Sequence, residues 1–336
     1  MSARTAADKV LSLAGAVLLA GYAGVAVVSG MDRSAMTDPA AHGLVGWPYD
    51  SFSARSRAMA ALQGGQPAQA MSLSARAMLS DPVDPTVIGR YGWAQMLMRN
   101  TSGADETFRV SGGLGWRDPS TQVYWLSRSL ELGDANVAAQ RLDALLRQTP
   151  YFEQRDALVA AVLASEEGRQ AVAQRLKEQP AWSSVFLSDT GNLPPQDLVN
   201  RADVVSRAAN GAFDCLSASR FVDNLMAAGQ VEPAQMVWRK VCAPGTDLVY
   251  DGHFTQLDST ARRRAFDWQL SSRGDVDILL QDRNDGSHQL GIKVSGPASQ
   301  IVLRQAMVLD PGAYRLTWSM PGTSPVSAAA LRVSLG

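Results

Sequence analysis

The chain has 336 residues, with 31 Lys and Arg against 32 Asp and Glu and a formal charge of −1, so composition supplies no extended basic surface and no nucleic-acid partner is expected. Hydrophobic residues make up 46% and charged residues 19%, which excludes a disordered polyampholyte and a multi-pass membrane protein and leaves material for a core. The length suits two domains of roughly 150 residues each, and two Cys exclude a disulfide-dense scaffold or a cysteine zinc cluster.

Val10 to Met31 contains no charged residue. At about 1.5 Å per residue this stretch spans roughly 33 Å, enough for the hydrocarbon core of a bilayer. The reading is a cytoplasmic tail over 1–9, a single transmembrane signal anchor over 10–31 and a linker over 32–50. Arg4, Lys9 and the free amine precede the apolar run, whereas Asp32, Arg33 and Asp38 follow it, so the positive-inside bias puts the N-terminus in the cytoplasm and the bulk of the chain outside it. A cleaved signal peptide is the competing reading, because Val28-Ser29-Gly30 offers small residues at a cleavage site; the apolar run exceeds the roughly 7 to 15 residues of a signal-peptide core. Ala16, Ala20 and Gly24 have small-xxx-small spacing, which the abundance of alanine and glycine already explains. Leu44 to Asp50, with Pro39, Gly43, Gly46 and Pro48 in and around it, reads as part of a linker that need not be structured.

From residue 51 the chain repeats. Ala70, Ala104 and Ala138 are separated by 34 residues each, and Gly65, Gly133 and Gly229 each stand five residues before an alanine, Ala70, Ala138 or Ala234. Pro82 and Pro150 each fall twelve residues after their alanine, where a proline stops a helix. A glycine at the turn, a small residue where two helices touch and a proline before the next unit describe one stackable helix pair. Ala70, Ala77 and Pro82, then Tyr91-Gly92, Ala104 and Phe108, then Trp125, Ala138, Leu142 and Pro150 resemble the tetratricopeptide repeat. The resemblance implies an α-solenoid over residues 51–244 that binds protein through its helices. In the second unit Gly103, Gly112, Gly113 and Gly115 lie in the expected second helix and Trp116 takes the proline position, so a short or broken helix near 104–111 and a loop through Asp118 are expected. Phe152 to Glu178, Gln196 to Asn210 and Phe213 to Val241 continue an amphipathic helical pattern without strict period. The run Gly112 to Arg117 has no Lys-Ser or Lys-Thr pair and no preceding strand, so it reads as an inter-helix loop and not a phosphate site. Trp93, Trp125 and Trp182 read as packing residues.

Cys215 and Cys242 are placed symmetrically about the turn at Gly229. In antiparallel helices such residues are neighbours, so a disulfide across the open end is expected, as suits an oxidising compartment; two buried thiols are the alternative.

After Pro244-Gly245 the pattern changes. Leu248 to Phe254, Phe266 to Leu270, Val276 to Gln281, Gln289 to Val294, Ile301 to Leu309 and Tyr314 to Trp318 read as short strands. Asp285-Gly286 and Asp310-Pro311-Gly312 read as turns. An antiparallel β-sandwich over 245–336 is expected. Leu248 to Phe254, Phe266-Asp267-Trp268 and Gln305 to Leu316 resemble jelly-roll carbohydrate-binding modules, with Asp251 where asparagine is usual and Thr255 in place of a calcium-associated glutamate. That resemblance implies glycan contact through Tyr250, Trp268, Tyr314 and Trp318, against the plainer reading that these aromatics are core. Leu331 to Ser334 is the last strand-like run.

No enzyme is expected. His42, His253 and His288 form no constellation, and there is no paired-histidine metal motif, nucleophile elbow or phosphate-binding lysine motif. No metal or cofactor is expected. Glu166-Glu167 and Asp275 with Asp277 read as solvated carboxylates, and Asp282, Asn284 and Asp285 lack the alternation of a calcium loop. The whole resembles anchored repeat proteins of Gram-negative bacteria, some of which serve surface polysaccharide assembly or export. The resemblance implies a single-pass inner-membrane protein with a periplasmic bulk, a scaffold for an envelope protein partner, or alternatively a glycan-binding protein using its C-terminal domain.

Overall fold

The structure is a computed structural model that describes residues 2–46, 48–243, 247–255, 257, 265–271, 276–283, 288–294, 301 and 303–318. The chain divides into two compact units, Met1–Pro244 and Gly245–Gly336.

The first unit opens with helix α1, Ser2–Ser34. Its stretch Leu11–Ser34 has mean hydropathy 2.1 and is long and apolar enough to cross a membrane, and none of its most apolar 18-residue window is buried within the protein. The end of α1 is tied to the helix that follows. Asp32 is buried, and its two carboxylate oxygens accept hydrogen bonds from the Phe52 and Ser53 amides at 2.9 Å each. These amides are at the start of α2, Ser51–Gln63, where the first turn of a helix leaves its N–H groups without intrahelical partners. Asp50, the residue in the local capping position, makes no side-chain cap and instead pairs with Arg76. Ahead of Leu44 the segment between α1 and α2 is held in place: Pro39–Ala41 forms a 3₁₀ turn started by Asp38, and His42 Nε2 lies 3.1 Å from the Ala35 carbonyl and 2.9 Å from Ser56 Oγ.

The body is a helical repeat-like array. Helix α2 pairs with α3, Pro67–Ser80; α4, Pro85–Leu97, with α5, Thr101–Gly113; and α6, Pro119–Glu131, with α7, Ala135–Gln148. Each pair reverses by the same device. The amides of Gln66, Asn100 and Asp134 reach back five residues to the carbonyls of Ala61, Gln95 and Ser129 at 2.8, 2.9 and 2.8 Å, closing a Schellman turn over one left-handed residue. That residue is Gly65 at φ 67°, Arg99 at φ 61° and Gly133 at φ 73°. The alanines five positions on, Ala70, Ala104 and Ala138, are fully buried. Ser80 and Gln148, the last residues of α3 and α7, each precede a proline by two positions, Pro82 and Pro150.

Helix α5 corrects the expectation of a broken second unit, since it runs unbroken to Gly113. Its glycines sit where neighbours come too close for a side chain. A Cβ on Gly103 would stand 2.6 Å from Asn100 Nδ2 and 2.7 Å from Gln95 Nε2, and one on Gly112 would stand 3.0 Å from Trp125 Nε1. Asn100 caps the helix through the Gly103 amide at 3.2 Å, and Phe108 anchors it at 0% exposure.

Beyond α7 follow α8, Arg155–Leu163; α9, Glu166–Leu176; α10, Ser183–Leu187; α11, Pro195–Arg207; α12, Cys215–Ala227; and α13, Val231–Val241. The α12–α13 pair repeats the same turn, with Gly229 at φ 73° and Gln230 bonding back to the Leu225 carbonyl at 2.8 Å.

The second unit has few strands among the described residues. β1, Gln269–Leu270, pairs antiparallel with β4, Leu303–Arg304. β2, Val276–Asp282, pairs antiparallel with β3, His288–Val294, in the register Val276 to Val294 through Asp282 to His288. A sandwich is not what these two small sheets display. Leu248 to Phe254, expected as a strand, is a turn: Asp251 and Phe254 take left-handed backbone at φ 48° and 56°, and Asp251 Oδ1 accepts from both the Thr255 amide and hydroxyl at 2.7 Å. Only Leu303–Arg304 of the expected 301–309 strand pairs as one, and Tyr314 to Trp318 is irregular. The Asp285-Gly286 turn, Asn284, Asp275 and Leu331 to Ser334 lie outside the described residues.

Arg99 occupies a position that glycine fills at Gly65, Gly133 and Gly229, and a side chain in left-handed backbone is disfavoured. Arg99→Gly is expected to raise the unfolding free energy by about 0.5 kcal/mol, and Gly133→Arg to lower it by a similar amount. Urea titrations with unchanged slope test both.

Candidate functional site

The densest chemistry of the first unit lies where the second helix pair meets the third. Asp118 begins α6 and is 1% exposed. Its Oδ2 lies 2.8 Å from the Thr121 amide and 2.5 Å from Thr121 Oγ1; Thr121 Oγ1 is 2.7 Å from Ser111 Oγ, which donates to the Pro85 carbonyl at 2.9 Å. Gly89 in α4 makes room for this carboxyl, because a Cβ there would collide with Oδ2. The protons of this chain can be counted. Ionised Asp118 takes the Thr121 hydroxyl hydrogen and leaves none for the Thr121 to Ser111 contact, whereas a protonated carboxyl supplies the missing one. Burial pushes the Asp118 carboxyl upward in pKa, against the lowering from Thr121 and Arg90.

An aromatic cluster covers the same junction. Phe108 stacks on Tyr124 at 4.1 Å, Trp125 meets Tyr124 edge-on at 5.4 Å, and Trp125 Nε1 donates to the Phe108 carbonyl at 3.1 Å. Tyr124 donates to Asp105 at 2.7 Å, and burial together with that carboxylate pushes the phenol up to about 12. Beside it, Arg141 of α7 lies over the Trp116 ring with its Cζ 3.9 Å from the centroid and donates to Gln122 Oε1 at 3.1 Å. Spacing in the sequence singled out Trp116 only as a substitute for proline and did not point to Arg141 or Gln122.

Further polar groups fasten the later helices. Arg201 is 2% exposed, donates to the Phe186 carbonyl and to Asp156 Oδ1, the latter at 2.7 Å, and lies over the Phe186 ring at 5.1 Å. Burial opposes ionisation of Asp156, but hydrogen bonds from Arg155 and Arg201 outweigh it and hold the carboxyl below its ordinary range. Trp182 donates to Asp143 at 2.7 Å.

Cys215 and Cys242 are joined as a disulfide with Cα atoms 4.9 Å apart. The bridge closes the open end of the α12–α13 pair, and a loop of this length gives about 3 kcal/mol by constraining the unfolded chain.

The four aromatics expected to contact glycan divide by exposure. Trp268 is partly buried, its ring 5.5 Å from that of Phe254 and its indole donating to the Asp251 carbonyl at 3.0 Å, so it braces the 251–255 turn. The Tyr250 carbonyl accepts from Gln305 at 2.7 Å. Tyr314 folds over the Pro311-Gly312 turn with its hydroxyl donating to the Asp310 carbonyl at 2.7 Å, yet it is 47% exposed, and Trp318 is 60% exposed. His288 pairs with Asp282 at 2.8 Å at the end of the β2–β3 ladder, and Glu166 pairs with Arg207 at 3.3 Å. Among the described residues no group of three or more His, Cys, Asp or Glu is placed to hold a metal ion.

Because burial raises the Asp118 pKa above its value in the unfolded chain, its contribution favours folding at low pH and is lost as pH rises through the raised pKa. Asp118→Asn keeps a cap acceptor without the charge, so its stability relative to wild type is expected to improve from about pH 4 toward neutrality. Asp118→Ala leaves the Thr121 amide unpaired and is expected to be about 1 kcal/mol less stable than Asp118→Asn at every pH. Unfolding free energies across that range distinguish these outcomes. Comparison of the chain with protein-family models, with curated proteins and with solved structures finds no match.

Proposed function

We propose that this chain is a non-catalytic scaffold anchored in the inner membrane by α1, with its helical body on the periplasmic side docking an envelope protein. The observation that carries this reading is the attachment of a 34-residue-period helical array to a membrane-length apolar helix through the Asp32 cap. Stacked helix pairs give broad surfaces suited to protein recognition. A disulfide within the body fits an oxidising compartment. The polar side chains buried in the body, Asp118, Gln122 and Arg201, are engaged in holding helices together, which suits a scaffold better than a catalyst.

The test joins topology to docking. A reporter that works only after export, fused at Gly336, is expected to be active, and activity of a cytosol-only reporter at the same place would overturn the orientation. Photo-crosslinking amino acids at the exposed positions Leu79, Leu132 and Tyr151 of the full chain are expected to capture one recurring envelope protein. Crosslinks confined to lipid would remove the docking role.

A second reading rests on the exposure of Tyr314 and Trp318. In it the second unit completes a jelly-roll sandwich and stacks these rings on the pyranose faces of a surface polysaccharide. A glycan array probed with the full chain in detergent decides it. The expected signal is polysaccharide binding that Trp318→Ala abolishes with unchanged melting, and silence across neutral and acidic glycans sinks it.

A further inference from the structure

Arg141 differs from several partly buried arginines of the body in what balances its charge. Arg55 lies 2.8 Å from both Asp81 and Asp84, Arg169 lies 2.6 Å from Asp203, and Arg155 and Arg201 share Asp156 at 3.0 and 2.7 Å. Arg141 has the neutral Gln122 Oε1 at 3.1 Å and the face of Trp116 at 3.9 Å, and among the described residues no carboxylate pairs with it. Its pKa is lowered by burial with no carboxylate to restore it, so the fold carries an uncompensated desolvation cost here.

The surroundings hold this cation ready. Gln122 is 0% exposed, so its carbonyl is a fixed acceptor that orients the guanidinium. The Trp116 carbonyl is held by Gln148 Nε2 at 2.6 Å, which fixes the backbone under the indole. The outer side of the site is open: Trp116 is 43% exposed, and nothing lies within 4 Å of where a Cβ would stand on Gly113 or Gly115. Leu114 at 42% exposure extends the apolar ground. A guanidinium with no carboxylate partner among the described residues, lying on an exposed indole, has the composition of an interface hot spot, where Trp and Arg dominate and a carboxylate completes the arginine. A polysaccharide chain needs several accessible hydroxyl partners, whereas Gln122 Oε1 and Gln148 Nε2 are already engaged with Arg141 and Trp116 and Gln122 Nε2 is buried.

We propose that Trp116 and Arg141 form the docking site for an acidic segment of a partner protein, whose Glu or Asp carboxylate accepts from the Arg141 guanidinium while an adjacent apolar side chain packs on Trp116. This rests on the scaffold reading and names the chemistry of its partner.

The experiment is selection of a random peptide library displayed on phage against the full chain in detergent. The selected peptides are expected to share an Asp or Glu next to an apolar residue. Arg141→Met, Arg141→Lys and Trp116→Ala are each expected to weaken binding of the best peptide by roughly tenfold or more, and so is replacing its acidic residue by the amide. Circular dichroism and melting of the variants establish that the body is intact, and Arg141→Lys separates the planar guanidinium from mere charge. Peptides without an acidic residue, or ones that bind Arg141→Met as well as wild type, overturn this site while leaving the scaffold reading in place. A library that yields no binder overturns both. Binding of polygalacturonate that depends on Arg141, with no peptide selected, transfers the site to acidic glycans and also overturns the proposal.

Discussion

The body of this protein depends on one backbone constraint, a reversal between consecutive helices made over a single left-handed residue. The reversal sets two helices antiparallel and brings the alanine five positions later against the first helix, where it is fully buried at Ala70, Ala104, Ala138 and Ala234. A larger side chain at these positions would force the helices apart, because the interior is close-packed. Turn and alanine are thus one unit of information, repeated at a period of 34 over the first three pairs and recurring at Gly229.

Between the pairs, buried polar groups add to apolar burial. The Asp118, Thr121 and Ser111 chain joins α4, α5 and α6, and Arg201 joins α8, α10 and α11. Such groups are costly unless satisfied, and their geometry restricts the arrangement of the helices around the apolar core. Arg141 follows this logic only in part: its orientation is fixed by the fold, and its charge is not answered by it.

Helix pairs, apolar helix and the change of pattern after residue 244 were legible in the sequence because each rests on local periodicity. The second helix of the second pair was misread because glycine carries two opposite meanings. At Gly103 and Gly112 it marks close approach of a neighbouring side chain, and that neighbour, Gln95 or Trp125, is visible only once the helices are packed. Arg99 was missed at its turn for the complementary reason, since a repeat searched by its glycine does not reveal the unit that does without one. The strands of the second unit were legible where alternation was regular, over Val276–Asp282 and His288–Val294, and misread at Leu248 to Phe254, where Asp251 bonds its own neighbours in preference to a ladder. The Arg141 and Trp116 pair joins a loop to a helix one turn of the array away, a distance that composition and spacing do not encode.

The carboxylate of Asp32 has a further meaning. It belongs to the last turns of the apolar helix, yet it closes the start of the first helix of the body, and Arg33 of the same turn lies over the Phe52 ring at 5.9 Å. A free tether would let the array swivel. This joint instead ties the direction of the apolar helix to that of the first helix pair through two amides and one ring contact.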